Sequence, residues 1–267
     1  MVFVSQSTAA ARDASALLAP LRELAGRRRE LETAVAGTFC HGVSDCAITR
    51  FRFIGPEAGH EPIRLGLFAG VHGDEPAGCH ALVRFLAALA AEPGRAAGYN
   101  LTVYPVVNPT GFADGTRENC AGYDLNREFW RHTTQPEVII LEEELRAGRF
   151  DGLITLHADD TCEGLYGYSH GRTLDEMLLK PALTAAGCVL PRDGRDRIDG
   201  FAAREGVICE CFHGVLAPPP EQTPQPFNLI FETPALAPLE QQVVAALAAL
   251  DTIIANYRGF IAHAQGI

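Results

Sequence analysis

Leu65 to Ala69 is an unbroken apolar run, stopped by Gly70 and Gly73 and followed by Pro76. A short apolar run bounded by glycine reads as a strand buried on both faces. Proline fits the first turn of a helix, where its missing N–H has no intrahelical partner. Leu82, Phe85, Leu86 and Leu89 then recur at helical spacing, so that helix presents one apolar face. A strand that needs cover on both faces, joined tightly to a helix that needs a sheet, restricts the chain to a layered α/β architecture.

The rest of the chain repeats this grammar. Residues from about Ala9 to Ala36, rich in Ala, Leu, Arg and Glu, read as one or two helices, with Arg27 to Arg29 on a solvated face. Cys46 to Ile54, Leu101 to Val107, Phe150 to Leu156, Val207 to Phe212 and Phe227 to Phe231 read as strands. Capping boxes at Thr134–Glu137 and Thr173–Glu176 open helices that run to about Ala147 and Gly187. A long amphipathic helix from Pro238 to His263 closes the chain. Alternating strands and helices predict one α/β domain over residues 1–267: a mostly parallel, mixed β-sheet with helices on both faces. Between Asn108-Pro109-Thr-Gly111 and Arg131 lies a polar stretch of little periodicity, and a loop of that length in a compact domain usually has a function.

Charge narrows the partners. A net charge of −11 speaks against nucleic acid or an anionic membrane surface. An anionic substrate remains compatible, because a metal and a few arginines reverse the field locally. There is no basic-then-apolar leader pattern, and no run approaches the ~20 apolar residues of a membrane span. Eight cysteines without a leader or a C-x-x-C pair read as reduced thiols of a cytoplasmic protein.

His72 and Glu75 sit in the turn between the first buried strand and its helix. His157 and Glu232 each follow an apolar strand directly. All four therefore fall at the C-terminal edge of the sheet, where open α/β folds bind ligands. Two imidazoles and a carboxylate give Zn²⁺ three protein ligands and leave a fourth position for water, the pattern of a catalytic site.

The polar loop supplies Arg117-Glu-Asn-Cys-Ala-Gly-Tyr-Asp-Leu-Asn-Arg127. With His72-x-x-Glu75, Asn108-Pro109-x-Gly111, His157 and Phe231-Glu232, it resembles the M14 zinc carboxypeptidase superfamily, which also holds succinylglutamate desuccinylase and aspartoacylase-like enzymes. These motifs span roughly residues 63 to 233. The resemblance implies a zinc carboxypeptidase-like (phosphorylase/hydrolase-like) fold with one Zn²⁺ per chain, held by His72, Glu75 and His157. It makes Glu232 the general base and acid, Arg117 the oxyanion stabiliser, and Asn126 with Arg127 the grip on a substrate carboxylate. Asp124 becomes the carboxylate that orients the first ligand histidine. These roles suit the residue types: a carboxylate shuttles the proton, a fixed cation meets developing charge, and a guanidinium takes a carboxylate bidentately.

The implied activity is hydrolysis of a peptide or N-acyl amino acid bond next to a free carboxylate. One departure stands out. Many relatives carry a mobile tyrosine about twenty residues before the general base, and here that region reads Glu210-Cys-Phe-His213-Gly, leaving His213 or no residue to cover the site. The chain also lacks the extra C-terminal domain typical of aspartoacylases, so a compact microbial-type amidohydrolase is the closer likeness. Two readings from other classes compete. Gly167-Tyr-Ser-His-Gly171 fits a nucleophile elbow with Ser169, followed by Asp193, Asp196, Asp199, His213 and His263, although Asp159–Gly164 interrupts the strand an elbow needs. The other keeps fold and metal but has no turnover.

Overall fold

The computed structural model describes residues 12–42, 44–59 and 61–265. Residues 9–11, where the first helix was expected to begin, lie outside them. In chain order the elements begin with α1 (Ala14–Ala25), β1 (Leu31–His41), β2 (Ser44–Ile54), β3 (Ile63–Ala69), α2 (Pro76–Ala91) and β4 (Tyr99–Tyr104). There follow α3 (Pro109–Asp114), α4 (Pro136–Gly148), β5 (Gly152–Asp159), β6 (Tyr166–Ser169), α5 (Arg172–Leu174) and α6 (Lys180–Ala186). The chain continues with β7 (Arg197–Ile198), β8 (Phe201–Arg204), β9 (Val207–Ile208), β10 (Phe227–Pro234) and α7 (Leu239–Gln265).

The ten strands among the described residues join one mixed sheet in the order β1-β2-β4-β3-β5-β10-β6-β9-β8-β7. Its centre, β4-β3-β5-β10, is parallel. Both wings contain antiparallel pairs. Parallel strands have both faces covered, and the central ones show it. Leu65, Leu67 and Ala69 of β3 face the core shared with α1, α2, α6 and α7, while Phe68 turns to the face covered by Val138, Leu141 and Leu145 of α4. There Phe68 stacks on Tyr104 with ring centroids 4.9 Å apart. The stripe Leu82, Phe85, Leu86 and Leu89 is buried, as its spacing predicts.

Several local expectations are corrected. The Ala- and Glu-rich stretch after Ala25 is not helical: Leu31–His41 is a strand. It pairs antiparallel with β2, and sheet pairing overrides its helical propensity. Arg27 to Arg29 follow the helix instead of lying on it, and remain exposed. Neither capping box forms: α4 starts after Gln135 and α5 after Gly171, without side-chain caps. Glu137 is fully buried and accepts from Asn119 instead. Val207–Phe212 shortens to Val207–Ile208. The Leu239–Ala262 part of α7 is long and apolar enough to cross a membrane by length and composition, contrary to the reading of no such run. Val243, Ala246, Leu250 and Ile253 on that helix are buried in the core with α2 and α6.

Candidate metal centre and catalytic cleft

β3 ends at Ala69, and the turn to α2 carries His72 and Glu75. The turn passes so close to α3 that a Cβ on Gly73 would lie 1.9 Å from the backbone carbon of Gly111. Glycine at 73 is therefore a packing requirement. Asn108, fully buried, caps α3 by accepting from the Gly111 N–H at 2.9 Å. The polar loop is pinned by Asn119, whose amide oxygen accepts from the N–H groups of Ala121 and Tyr123. Its amide nitrogen donates to Gln135 and Glu137. Long as it is, the loop has a fixed course.

That course brings the expected residues together. Nδ1 of His72 lies 2.5 Å from Oε1 of Glu75, and Nδ1 of His157 lies 2.9 Å from Oε2. The Ala158 N–H also donates to Oε2, at 3.0 Å. The two imidazoles stand 4.8 Å apart between centroids. One ligand atom from each of the three buried residues lies within 4.8 Å of the others. Two imidazole nitrogens and a carboxylate, converging in a buried cluster, fit a tetrahedral zinc with an open position. His72 Nε2 is 3.1 Å from Oδ1 of Asp124, the partner a ligating imidazole needs on its other nitrogen. Oδ2 of Asp124 accepts from Nε and Nη2 of Arg117, at 3.2 and 3.0 Å. Nη1 of Arg117 reaches within 3.5 Å of Glu75.

Glu232 arrives from β10. In the parallel register it stands beside His157 of β5, and on its other side beside Tyr166 of β6. Glu232 is 9% exposed and lines the cleft, and its carboxylate has no hydrogen-bond partner among the described residues. Asn126 and Arg127 line the same cleft, a cavity of about 520 Å³. The Asn126 side-chain oxygen accepts from the Leu216 N–H at 2.8 Å, which leaves its amide nitrogen available. The Arg127 guanidinium lies 4.3 Å over the Phe212 ring.

The cleft also holds residues that the sequence does not tie to the metal centre: Asp159, Tyr166, Tyr168, and Asp199, which entered only as a candidate acid for Ser169. Asp159 had a readable signal, two positions after His157 on a strand of period two. The tyrosines had none, because β6 was not recognised. His213 is exposed and Phe212 faces the cleft instead, so the aromatic wall comes from Phe212, Tyr166 and Tyr168. Ser169 is buried and donates to Asp175, without a histidine partner among the described residues, and the side chain of His263 lies outside them. No nucleophile elbow forms.

Electrostatics follow from crowding. Burial pulls the His72 pKa down, but Glu75 and Asp124 outweigh it and hold the imidazole at about 9. Burial would raise Glu75, yet His72 and His157 keep it ionised and well below its ordinary value. Burial dominates at His157 and lowers it. At neutral pH the free centre thus holds one imidazolium, His72. A metal entering at its Nδ1 must displace that proton. Zinc uptake is expected to release about one proton, with affinity rising roughly tenfold per pH unit up to about 9. Competition titrations between pH 6 and 8 that show no slope would mean that His72 is already neutral in the metal-free centre.

A family model of the succinylglutamate desuccinylase/aspartoacylase catalytic domain matches residues 62–153. The match takes in His72, Glu75, Arg117, Asp124, Asn126 and Arg127. No curated protein matches the chain in sequence. A Shewanella denitrificans protein classed provisionally as a metallopeptidase has a similar structure, with 29% identity and TM-score 0.77 over 91% of this chain and 90% of its own. A Shewanella amazonensis protein of the same provisional class shows 29% identity and TM-score 0.73 over 90% of each chain. A metallo-carboxypeptidase from Burkholderia cenocepacia shares the fold at 18% identity and TM-score 0.68, over 92% of this chain and 68% of its own.

Proposed function

Because the chain belongs to the M14 metallocarboxypeptidase superfamily, a superfamily of hydrolases, we propose that it is a zinc-dependent amide hydrolase. Its substrate carries a free carboxylate next to the scissile bond. One observation carries this reading: the unpartnered Glu232 carboxylate stands in register beside His157, which shares the Glu75 carboxylate with His72.

His72, Glu75 and His157 hold the metal. When bound, zinc supplies a Lewis acid that activates water and polarises the scissile carbonyl. Glu232 takes the proton of the attacking water and returns it to the leaving nitrogen. Burial, then the charges of Glu75, Asp159 and Asp199, raise its pKa well above the ordinary value, so it gains a proton readily. Arg117, braced by Asp124, offers Nη1 to the developing oxyanion. Asn126 Nδ2 and the Arg127 guanidinium, steadied on Phe212, take the substrate carboxylate.

Arg127→Ala is expected to lower kcat/KM for substrates with a free carboxylate by ~10–100-fold, as for a charged hydrogen bond left unmade. Amidated analogues should lose little. Equal losses for acid and amide would make Arg127 structural. The whole reading is tested by a hydrolysis screen of zinc-loaded protein, setting C-terminal dipeptides and cell-wall peptides against N-succinyl and N-acetyl amino acids. Each is run with and without chelator. The match to the desuccinylase and aspartoacylase domain favours the N-acyl amino acids as a second class within the same site. No chelator-sensitive turnover in either class would overturn the proposal.

A further inference from the structure

The stripe of side chains that runs down the sheet from the metal centre is not wholly apolar. On β5, Leu153, Thr155 and His157 fall on one face, and on β10 Asn228, Ile230 and Glu232 share it. Glu232 stands beside His157, Ile230 beside Thr155, and Asn228 beside Leu153. Leu153 packs in the core under α4, together with Leu216. Thr155 is an unexpected residue for such a place, since valine has its shape and no hydroxyl to bury. Its register partners on the two flanking strands are Ile230 and Phe68, and neither can pair with that hydroxyl.

Three side-chain nitrogen or oxygen atoms among the described residues are buried without a hydrogen-bond partner, and all three lie on this stripe. They are Nε2 of His157, Oγ1 of Thr155 and Oδ1 of Asn228. Thr155 is 1% exposed and His157 4%. Buried polar groups left unpaired are rare and costly, so three on adjacent strands call for a common partner. Nδ1 of His157 meets Glu75 at the centre. An imidazole that gives one nitrogen's lone pair to a metal carries its hydrogen on the other, so Nε2–H is a donor. The Thr155 hydroxyl donates or accepts. The Asn228 amide is oriented by Nδ2, which donates to the Leu216 carbonyl at 3.2 Å and leaves Oδ1 as an acceptor. None of the three atoms is within hydrogen-bond reach of another. A group that both accepts and donates satisfies them together. Water is the smallest such group, and a buried water typically makes about three bonds of this kind.

We infer that a buried water sits beneath the floor of the cleft, accepting from His157 Nε2–H and from the Thr155 hydroxyl and donating to Asn228 Oδ1. Through it Thr155 is a positioning residue for the second ligand histidine, as Asp124 is for the first. To that extent the inference rests on the metal centre proposed above. The thread continues beyond the metal. The Leu216 N–H donates to Asn126 Oδ1, so the segment that Asn228 holds also orients the amide assigned to the substrate carboxylate.

Two measurements test this. A crystal structure of the metal-free protein, at a resolution that orders water, is expected to show one water within about 3.2 Å of all three atoms. No water there, or a direct bond between two of the atoms, overturns the site. Zinc competition titrations and thermal melts of the metal-free protein then compare Thr155→Val and Thr155→Ser with wild type. Valine keeps the volume and removes the hydroxyl, whereas serine keeps the hydroxyl and removes a buried methyl. Zinc affinity is expected to fall ~10–100-fold in Thr155→Val and to stay within about threefold of wild type in Thr155→Ser, as for a lost and a retained outer partner. Melting should rank them the other way, with serine the less stable for its missing methyl. A role in packing alone cannot produce opposite rankings. Unchanged zinc affinity in Thr155→Val, equal losses in both variants, or the same ranking in affinity and melting each overturns the positioning role. A wild type that binds no zinc would overturn the metal centre and that role with it, and the crystallographic water would still decide the site.

Discussion

Glu232→Gln is expected to fold and to take up zinc as the wild type does, while its turnover falls by at least ~10²–10⁴-fold. Glutamine keeps the volume and hydrogen-bonding capacity of the side chain but cannot move a proton at neutral pH. The structure adds a second signature. Burial, together with Glu75, Asp159 and Asp199, raises the Glu232 pKa in the folded protein. A carboxyl group with a raised folded-state pKa contributes stability below its unfolded value of ~4.3, and that contribution is lost as pH rises through the folded value. The amide has no such loss. Metal-free Glu232→Gln should therefore melt above wild type at neutral pH, and the gap should close as pH drops toward 4. A loss of turnover accompanied by lower stability would make Glu232 a structural partner. Near-normal turnover in the fully loaded variant would remove it from the chemistry.

Removing a ligand has the other large effect. His72→Ala and His157→Ala each leave two of three donors, and tetrahedral binding depends on all of them. Zinc affinity in each should fall by well over the ~100-fold that marks the loss of a supporting partner. Asp124→Asn, which disturbs only the contact to His72 Nε2, should fall within about 10–100-fold. Metal content after gel filtration and a competition titration give the ranking. Full occupancy in both histidine variants would place the metal elsewhere. Activity that survives chelation and vanishes in Ser169→Ala would revive the serine hydrolase, against the burial of that hydroxyl and its bond to Asp175.

The candidate centre was legible because its residues are tied to local signals. His72 and Glu75 sit where glycines break a strand, and His157 and Glu232 follow apolar runs. Strand ends on a parallel sheet share one edge, so sequence position alone brings such residues together. Arg117, Asp124, Asn126 and Arg127 were found through their resemblance to a known motif. Periodicity says nothing about an irregular loop, whose course depends on Asn108, Asn119 and a buried Glu137 that the sequence reading took for a helix cap.

What only tertiary structure decided lies toward the wings of the sheet. Leu31–Ala36 belongs to a stretch read as helical, but the antiparallel ladder to β2 makes Leu31–His41 a strand, although only Leu31 of it is buried. β6 is four residues long and the β7–β8 hairpin contributes two and four, too short for any period to register. Their place follows from pairing with β10 and with one another, contacts between residues far apart in the chain. These strands and the β7–β8 turn bring Tyr166, Tyr168 and Asp199 to the cleft. By itself the sequence determined the α/β layering, the candidate metal ligands and the edge where they sit, since those depend on nearest neighbours and strand ends. Which side chains face the candidate centre across the cleft depended on long-range pairing, and only the folded chain could decide that.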